Sequence, residues 1–438
     1  MAMTAMNTEA SPASESKLPS QPKLEHPKVA VYGVFGIKNL GNECTLQAIL
    51  HNFQERLPGG EVYSICYRPD DTSLRHNIPG VAICSPGRSS DETVERSGGI
   101  SRLFRICFQR IPGEIWHWWK AVRNLRGTEL VVMTGTGMLT DYSTSAFGYP
   151  YDVFMWTVAA RLVGCKVRFV GVGVGPIYSS VSRFFIRTAL SLADYRSFRD
   201  QFSKNRIEKF GFDSRRDPVF PDLAFSLPEQ VFPHPVKQTR QKVQVGLGVM
   251  DHRDIHVHPT IEEQETAYST YLDKMCEFVS RLTKNGYGIR ILQGDSKYDT
   301  RTRAELKARL EQRGIRYDQA RIIDEDTATV EELLAQLAEV DIIVSPRFHN
   351  LLLGMMLDVP VVSISYDPKN DALLEGMGLG KYCQSLTGLD VQKLIEQFVD
   401  IQAKAKEVKP LIRDKASEYR SLLAQQYDLI FGDYNRLV

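Results

Sequence analysis

Val29-Ala30-Val31-Tyr32, then Gly33, Gly36 and Asn39-Leu40-Gly41-Asn42: this order of residue types decides the fold. The first four are an apolar run of strand type, and the glycines with Asn39 make a turn. Beyond it Leu46, Ile49, Leu50, Phe53 and Leu57 recur at the three-and-four spacing of one buried helical face. Strand, glycine turn and helix form the opening unit of an α/β sheet. The alternation continues outward. Strands are expected at Val62–Tyr67, Leu130–Met133 and Lys166–Val170, with a helix at Val153–Val163 between the last two. Prolines from Pro218 to Pro235 break both periodicities, and a second series follows. Its expected strands are Val243–Val249, Gly288–Gln293, Arg321–Ile323, Asp341–Val344 and Val359–Ser363. Its expected helices lie near Gln264–Thr283, Arg303–Arg313, Val330–Ala338 and His349–Leu357. The expected fold is therefore α/β, with two doubly wound domains, 28–220 and 242–388, joined by a linker at 221–241. A Ser- and Pro-rich tail, 1–27, precedes them, and helices in 389–438 follow. Two such domains place a ligand in the cleft between them, at the carboxyl ends of the strands.

The 438 residues carry 54 Lys+Arg against 53 Asp+Glu, a net charge of only +1. That balance argues against a nucleic-acid partner, so an anion site has to be local. Seven cysteines stand singly with no C-x-x-C pair, which argues against a disulfide framework or a zinc ribbon and for a reducing compartment. No apolar run approaches the ~18–20 residues of a membrane span, and the N-terminal tail lacks a signal-type apolar stretch. A cytoplasmic protein is expected.

Three strand ends are rich in glycine: Gly135-Thr136-Gly137, Gly171-Val172-Gly173-Val174-Gly175 and Gly246-Leu247-Gly248. None has the G-x-G-x-x-G spacing of a dinucleotide site, and no phosphate loop is present. They serve either as tight turns or as exposed amides facing an anion. His252, His256 and His258 sit in a polar loop without a cysteine or an H-E-x-x-H frame, so no metal is expected there. The stretch 101–126 carries Arg102, Arg105, Arg110, Lys120, Arg123 and Arg126, with Phe104, Phe108, Trp116, Trp118 and Trp119 among them. It reads either as an amphipathic helix with its aromatics packed inward or as a patch for an anionic lipid surface. Ser345-Pro346-Arg347-Phe348-His349 falls at a strand end, where a helix start adds its positive pole. Tyr366-Asp367-Pro368-Lys369 follows the next strand. Adjacent parallel strands would bring Arg347, His349 and Lys369 to one rim, as two cations beside an acid/base; surface ion pairs to Asp367 or Glu375 are the plainer alternative.

With these elements the chain resembles the polysaccharide pyruvyl transferase family. The resemblance runs in order through Gly36–Glu43, Thr134-Gly135-Thr136-Gly137 with Asp141, Gly171–Pro176, Ser197-Phe198-Arg199-Asp200 with Ser203, Asp217-Pro218, Arg347-Phe348-His349, and Val361–Lys369. It implies two Rossmann-like domains in a GT-B glycosyltransferase-like arrangement. It also implies transfer of the pyruvyl group of phosphoenolpyruvate to a sugar as a cyclic ketal, with phosphate released. The acceptor would be an oligosaccharide, lipid-linked at the inner face of the membrane, in cell-surface or exopolysaccharide biosynthesis. On this resemblance Arg199, Arg347 and Lys369 bind the donor and His349 is the catalytic acid/base. Asn39 and Asp141 are assigned to substrate binding. No cofactor, nucleotide or metal is implied. Two alternatives stay open: a GT-B glycosyltransferase holding a nucleotide sugar, and a non-catalytic scaffold of polysaccharide assembly.

Overall fold

The computed structural model describes residues 27–83, 111–142, 144–233, 242–253, 260–295 and 298–435. The tail, part of the linker, the first half of the aromatic stretch, and His256 and His258 lie outside these residues.

Two six-stranded sheets form the frame. The first is built from β1 (Lys28–Tyr32), β2 (Glu61–Cys66), β3 (Gly80–Ala82), β4 (Leu130–Thr134), β5 (Lys166–Val172) and β6 (Tyr195–Phe198) in the order 3-2-1-4-5-6. The second is built from β7 (Gln244–Gly248), β8 (Gly288–Leu292), β9 (Ile322–Asp324), β10 (Ile342–Ser345), β11 (Val361–Ser365) and β12 (Cys383–Ser385) in the order 12-11-10-7-8-9. Every pairing is parallel. Because helices cover both faces, the central strands are buried along their length and mostly apolar: all of β4, β8, β10 and β11 is buried, with Arg290 of β8 paired to Glu325 and Glu339.

The strand order reverses between β1 and β4 in one sheet and between β7 and β10 in the other. Such switch points are where doubly wound domains bind ligands. Here the two face each other. Asn39, after β1, forms an isolated antiparallel bridge with Asp295, after β8. Leu40 N donates to the Gly294 carbonyl at 3.3 Å. Helix Leu40–Arg56 of the first domain thus begins at the second domain, with Asn39 as its N-cap.

The C-terminal helix Ala405–Asn435 returns to the first domain. Arg56 Nε meets Asp428 Oδ1 at 2.9 Å, Gln426 Nε2 donates to Ser197 Oγ at 2.6 Å, and Phe431 lies edge-on to Phe53. The buried Arg168 donates to the Leu429 and Ile430 carbonyls. This crossing ties the two domains at a second place, away from the Asn39–Asp295 bridge.

Candidate active site

The site is built on the carboxyl ends of β10 and β11, which pair directly. Ser345 ends β10, and its Oγ accepts from Arg347 N at 3.0 Å, fixing the turn before helix Phe348–Met356. Arg347 is the N-cap residue, so His349 sits in the first helical turn. After β11, Asp367 caps helix Pro368–Gly376 by accepting from Lys369 N at 3.0 Å. Asn370, fully buried, donates to the Pro346 carbonyl at 2.7 Å and locks the two strand ends together. That contact brings Arg347, His349 and Lys369 to one rim.

His349 lies where the domains touch. Gly41, in the first turn of the opposing helix, is packed against the imidazole. A Cβ at Gly41 would lie 2.6 Å from ring Cγ and nearer still to Nδ1. The other nitrogen, Nε2, is buried without a hydrogen bond and 3.9 Å from Asp222 Oδ1. Burial pushes the imidazole down from 6.5 to about 4; Asp222 opposes the shift, while Arg199 and Lys369 add to it. The ring is neutral at pH 7.

Arg199 follows β6 and reaches the same place. Its guanidinium lies 5.4 Å over the Phe348 ring, with Nη1 3.6 Å from Asp222 and Nε 3.3 Å from Asp200. Gly173 passes beneath it, and a Cβ there would come within 2.7 Å of the guanidinium. The glycine after β5 is therefore needed for close approach to the arginine. Arg347 turns to the buried Asp299, whose other oxygen accepts from Gly294 N and Asp295 N at 2.9 Å each. Its Nε is buried without a partner. The ion-pair partners expected for this segment, Asp367 and Glu375, are not the ones used. Lys369 Nζ sits 4.7 Å over the Tyr366 ring and has no ion pair among the described residues.

Asn39 donates through Nδ2 to Asp295 Oδ2 at 3.2 Å, so it lies at the cleft as an interdomain tie. Asp141 lies in a different setting. Its two oxygens accept from Tyr178 N and Ser179 N, each at 2.8 Å, which anchors the loop before helix Ser180–Ser191. Both of its oxygens are thus engaged by backbone. Gly135 packs on the Gly171 carbonyl, and Thr136 Oγ1 accepts from Val34 N at 2.9 Å, so these strand ends brace one another. His252 is buried between Tyr268 and Tyr271.

Sequence reasoning missed Asp222, which it left inside the linker. It caps a short 3-10 helix, Leu223–Ser226, accepting from Ala224 N at 3.0 Å. Pro221 beside it was the signal that hid it. It missed Asp299 and Gly41 as well, because their roles depend on which elements face each other across the cleft.

Fold and site together define a two-domain, GT-B-like protein with a cationic, histidine-bearing interdomain cleft. The likeness to solved structures agrees. A UDP-GlcNAc 2-epimerase from Neisseria meningitidis, bound to UDP-GlcNAc, superposes with TM-score 0.53 at 12% identity, over 91% of this chain and 100% of that one. The S. aureus MnaA–UDP structure gives 0.57 at 12% identity, over 94% and 98%. The glycosyltransferase SnogD from Streptomyces nogalater gives 0.51 at 14% identity, over 92% and 100%. No curated protein sequence matches significantly. The family model of polysaccharide pyruvyl transferase matches residues 39–368, well over half of the chain, and the protein belongs to that family. It is a transferase of the pyruvyl transferase class.

Proposed function

We propose that the protein moves the pyruvyl group of phosphoenolpyruvate onto two hydroxyls of one sugar of a lipid-linked oligosaccharide, forming a cyclic ketal and releasing phosphate. The observation that supports this most is the neutral His349 between Arg199, Lys369 and Asp222. Phosphoenolpyruvate is compact and carries its charge at both ends, so it suits fixed guanidinium and ammonium groups rather than a long nucleotide groove.

In the first step a sugar hydroxyl oxygen bonds to the central donor carbon while the methylene carbon gains a proton. One proton leaves the hydroxyl and one reaches the methylene, so a single imidazole can serve both. His349 takes the proton as a neutral base, and Asp222, 3.9 Å from Nε2, stabilises the imidazolium that forms. Arg199 and Lys369 hold the negative donor, and charge growing on the phosphate oxygens is met by the same cations. In the second step the neighbouring hydroxyl bonds to the same carbon, the carbon–oxygen bond to phosphate breaks, phosphate leaves with the electron pair, and the hydroxyl proton passes through the neutral His349 to the departing phosphate. No metal or nucleotide enters either step.

Phosphate release from phosphoenolpyruvate in the presence of lipid-linked oligosaccharides tests the reading, alongside thermal shifts with phosphoenolpyruvate and with UDP-sugars. Phosphate release and a shift with phosphoenolpyruvate alone are expected. Stabilisation by a UDP-sugar alone would make the protein a nucleotide-sugar transferase, and stabilisation by neither would make it a scaffold.

A further inference from the structure

Helices in a doubly wound domain run antiparallel to the strands, so their first turns lie at the carboxyl rim of the sheet, beside the cleft. Three helices of the first domain pack side by side there: Ile111–Leu125, Tyr149–Leu162 and Ser180–Ser191. Just before these helices and along them as far as their middles, large apolar side chains face solvent. Ile115, Trp116 and Trp119 come from the first helix, Phe147 precedes the second, and Tyr178 and Phe184 flank the start of the third. Trp116 is 58% exposed and Phe184 61%, so neither ring is spent on the core. They are nonetheless held in place. Trp116 stacks on Trp119 at 4.7 Å, and Phe154 bridges Trp118 and Phe184 at 6.4 and 6.3 Å. Trp118 turns inward and donates to Tyr151 Oη at 3.0 Å.

The charge on this face is one-sided. Lys120, Arg123 and Arg126 follow Trp119 in the chain and Arg187 follows Phe184, with Arg123 5.3 Å over Trp119. The two acids of the three helices are engaged with other side chains: Glu114 accepts from Tyr151 Oη at 3.0 Å, and the buried Asp152 accepts from Tyr67 Oη at 2.9 Å. Helix Ser180–Ser191 contains no acid. Exposed tryptophan and phenylalanine ringed by cations match a surface that is apolar beneath and anionic on top. A second copy of the chain matches poorly, because a two-fold contact would bring two cation-rich faces together with both helix acids already engaged.

We propose that this three-helix face lies on an anionic lipid bilayer, rings at headgroup depth and cations against the lipid phosphates, with the cleft mouth beside the membrane. The proposal extends from the aromatic stretch to Phe147, Tyr178 and Phe184, and it needs no turnover, so it stands or falls apart from the donor chemistry.

The test is co-sedimentation of the full chain with vesicles of phosphatidylglycerol and phosphatidylethanolamine in equal parts, against phosphatidylcholine vesicles. Binding to the anionic vesicles at low salt is expected, with release at about 0.5 M salt, where screening is nearly complete. The double variant Trp116→Ser/Phe184→Ser changes only exposed positions. It should melt like the parent yet partition at least about tenfold more weakly. Arg123→Gln/Arg187→Gln should weaken binding and flatten its salt dependence. Failure of the parent to sediment at low salt overturns the proposal, as does undiminished binding by the Trp116→Ser/Phe184→Ser variant. A concentration-dependent dimer abolished by Phe184→Ser, without vesicle binding, assigns the face to a second copy and overturns it too.

Discussion

Gly41→Ala probes the meeting of the two domains with one methyl group. Gly41 sits in the first turn of helix Leu40–Arg56, and its backbone is not in the left-handed region. Alanine is therefore acceptable locally and favours the helix by up to ~1 kcal/mol. Across the cleft the effect reverses. The added Cβ would lie 2.6 Å from His349 Cγ, whereas carbon atoms settle at about 3.5–4.0 Å. The ring, or the whole second domain, must retreat by roughly 1 Å, a displacement that costs on the order of a hundredfold in rate when it moves a reacting group. The assay is steady-state phosphate release from phosphoenolpyruvate, with the imidazole C–H resonances of His349 followed by NMR. Expected are a kcat down by about two decades, a folded protein and a shifted His349 resonance. In a His349→Ala background the same methyl should raise the melting temperature, since the clash has gone and helix propensity remains. A Gly41→Ala protein retaining kcat within about threefold of the parent would refute the placement of His349 at the reacting centre.

His349→Gln keeps a polar side chain that cannot titrate, and turnover should drop by roughly two to four decades with phosphoenolpyruvate affinity changed much less. Arg199→Ala and Lys369→Ala should do the opposite, weakening phosphoenolpyruvate binding about tenfold to a hundredfold by calorimetry; parent-like affinity in both would sink the donor assignment. Stability should carry the mark of His349. Its folded pKa of about 4 lies below the ordinary 6.5, so the unfolded chain protonates first as pH falls; the stability is full above 6.5 and is lost progressively towards 4. Between pH 7 and pH 5 the parent should lose about 2 kcal/mol more than His349→Gln, and equal losses would contradict a buried neutral imidazole. Phosphoenolpyruvate brings negative charge to the ring, so saturating donor should raise the His349 pKa in an NMR titration, and an unchanged value would place the donor elsewhere.

Long, periodic and doubly covered elements were legible from the residues alone. Helix Val330–Ala338 falls where its apolar spacing puts it, and strands such as Lys166–Val172 differ from expectation only by an extension into the glycine turn. The edge strands β3 and β12, three residues each, were not legible, because Gly80-Val81-Ala82 and Cys383-Gln384-Ser385 lack a bulky apolar pair such as Ile322-Ile323, which marks the equally short β9. Helix Gln201–Lys209 escaped for a different reason. It is mostly polar, with only Ser203 and Ile207 buried, so its start is marked by Asp200 accepting from Ser203 N and not by an apolar stripe. The rim of the cleft was legible from Arg347, His349 and Lys369 because parallel strands set their spacing. Their partners were not, since Gly41, Asp222 and Asp299 join them through interdomain packing. The tryptophan cluster divides, which spacing alone did not disclose: Trp118 packs inward while Trp116 and Trp119 face solvent.

The pairing of the two arginines changes what an anion site means here. A guanidinium left uncompensated in so buried a place would cost several kcal/mol, so the resting cleft folds only because Asp299 holds Arg347 and Asp200 with Asp222 flank Arg199. Those carboxylates do not use the cations up. Arginine offers five donors; Asp299 engages one nitrogen of Arg347, and Asp200 engages Nε of Arg199. Each carboxylate instead fixes the plane of a guanidinium whose other N–H groups remain for a ligand. Lys369, lacking an ion pair among the described residues, supplies the charge that is not already balanced. The donor of the proposed reaction, with two or three negative charges, would share oriented arginines and neutralise a lysine, breaking no buried pair. The same arrangement is compatible with a net charge of only +1 in a chain proposed to bind a concentrated anion. The positive field is created locally, by orientation and burial, while the carboxylates behind it keep the total near zero.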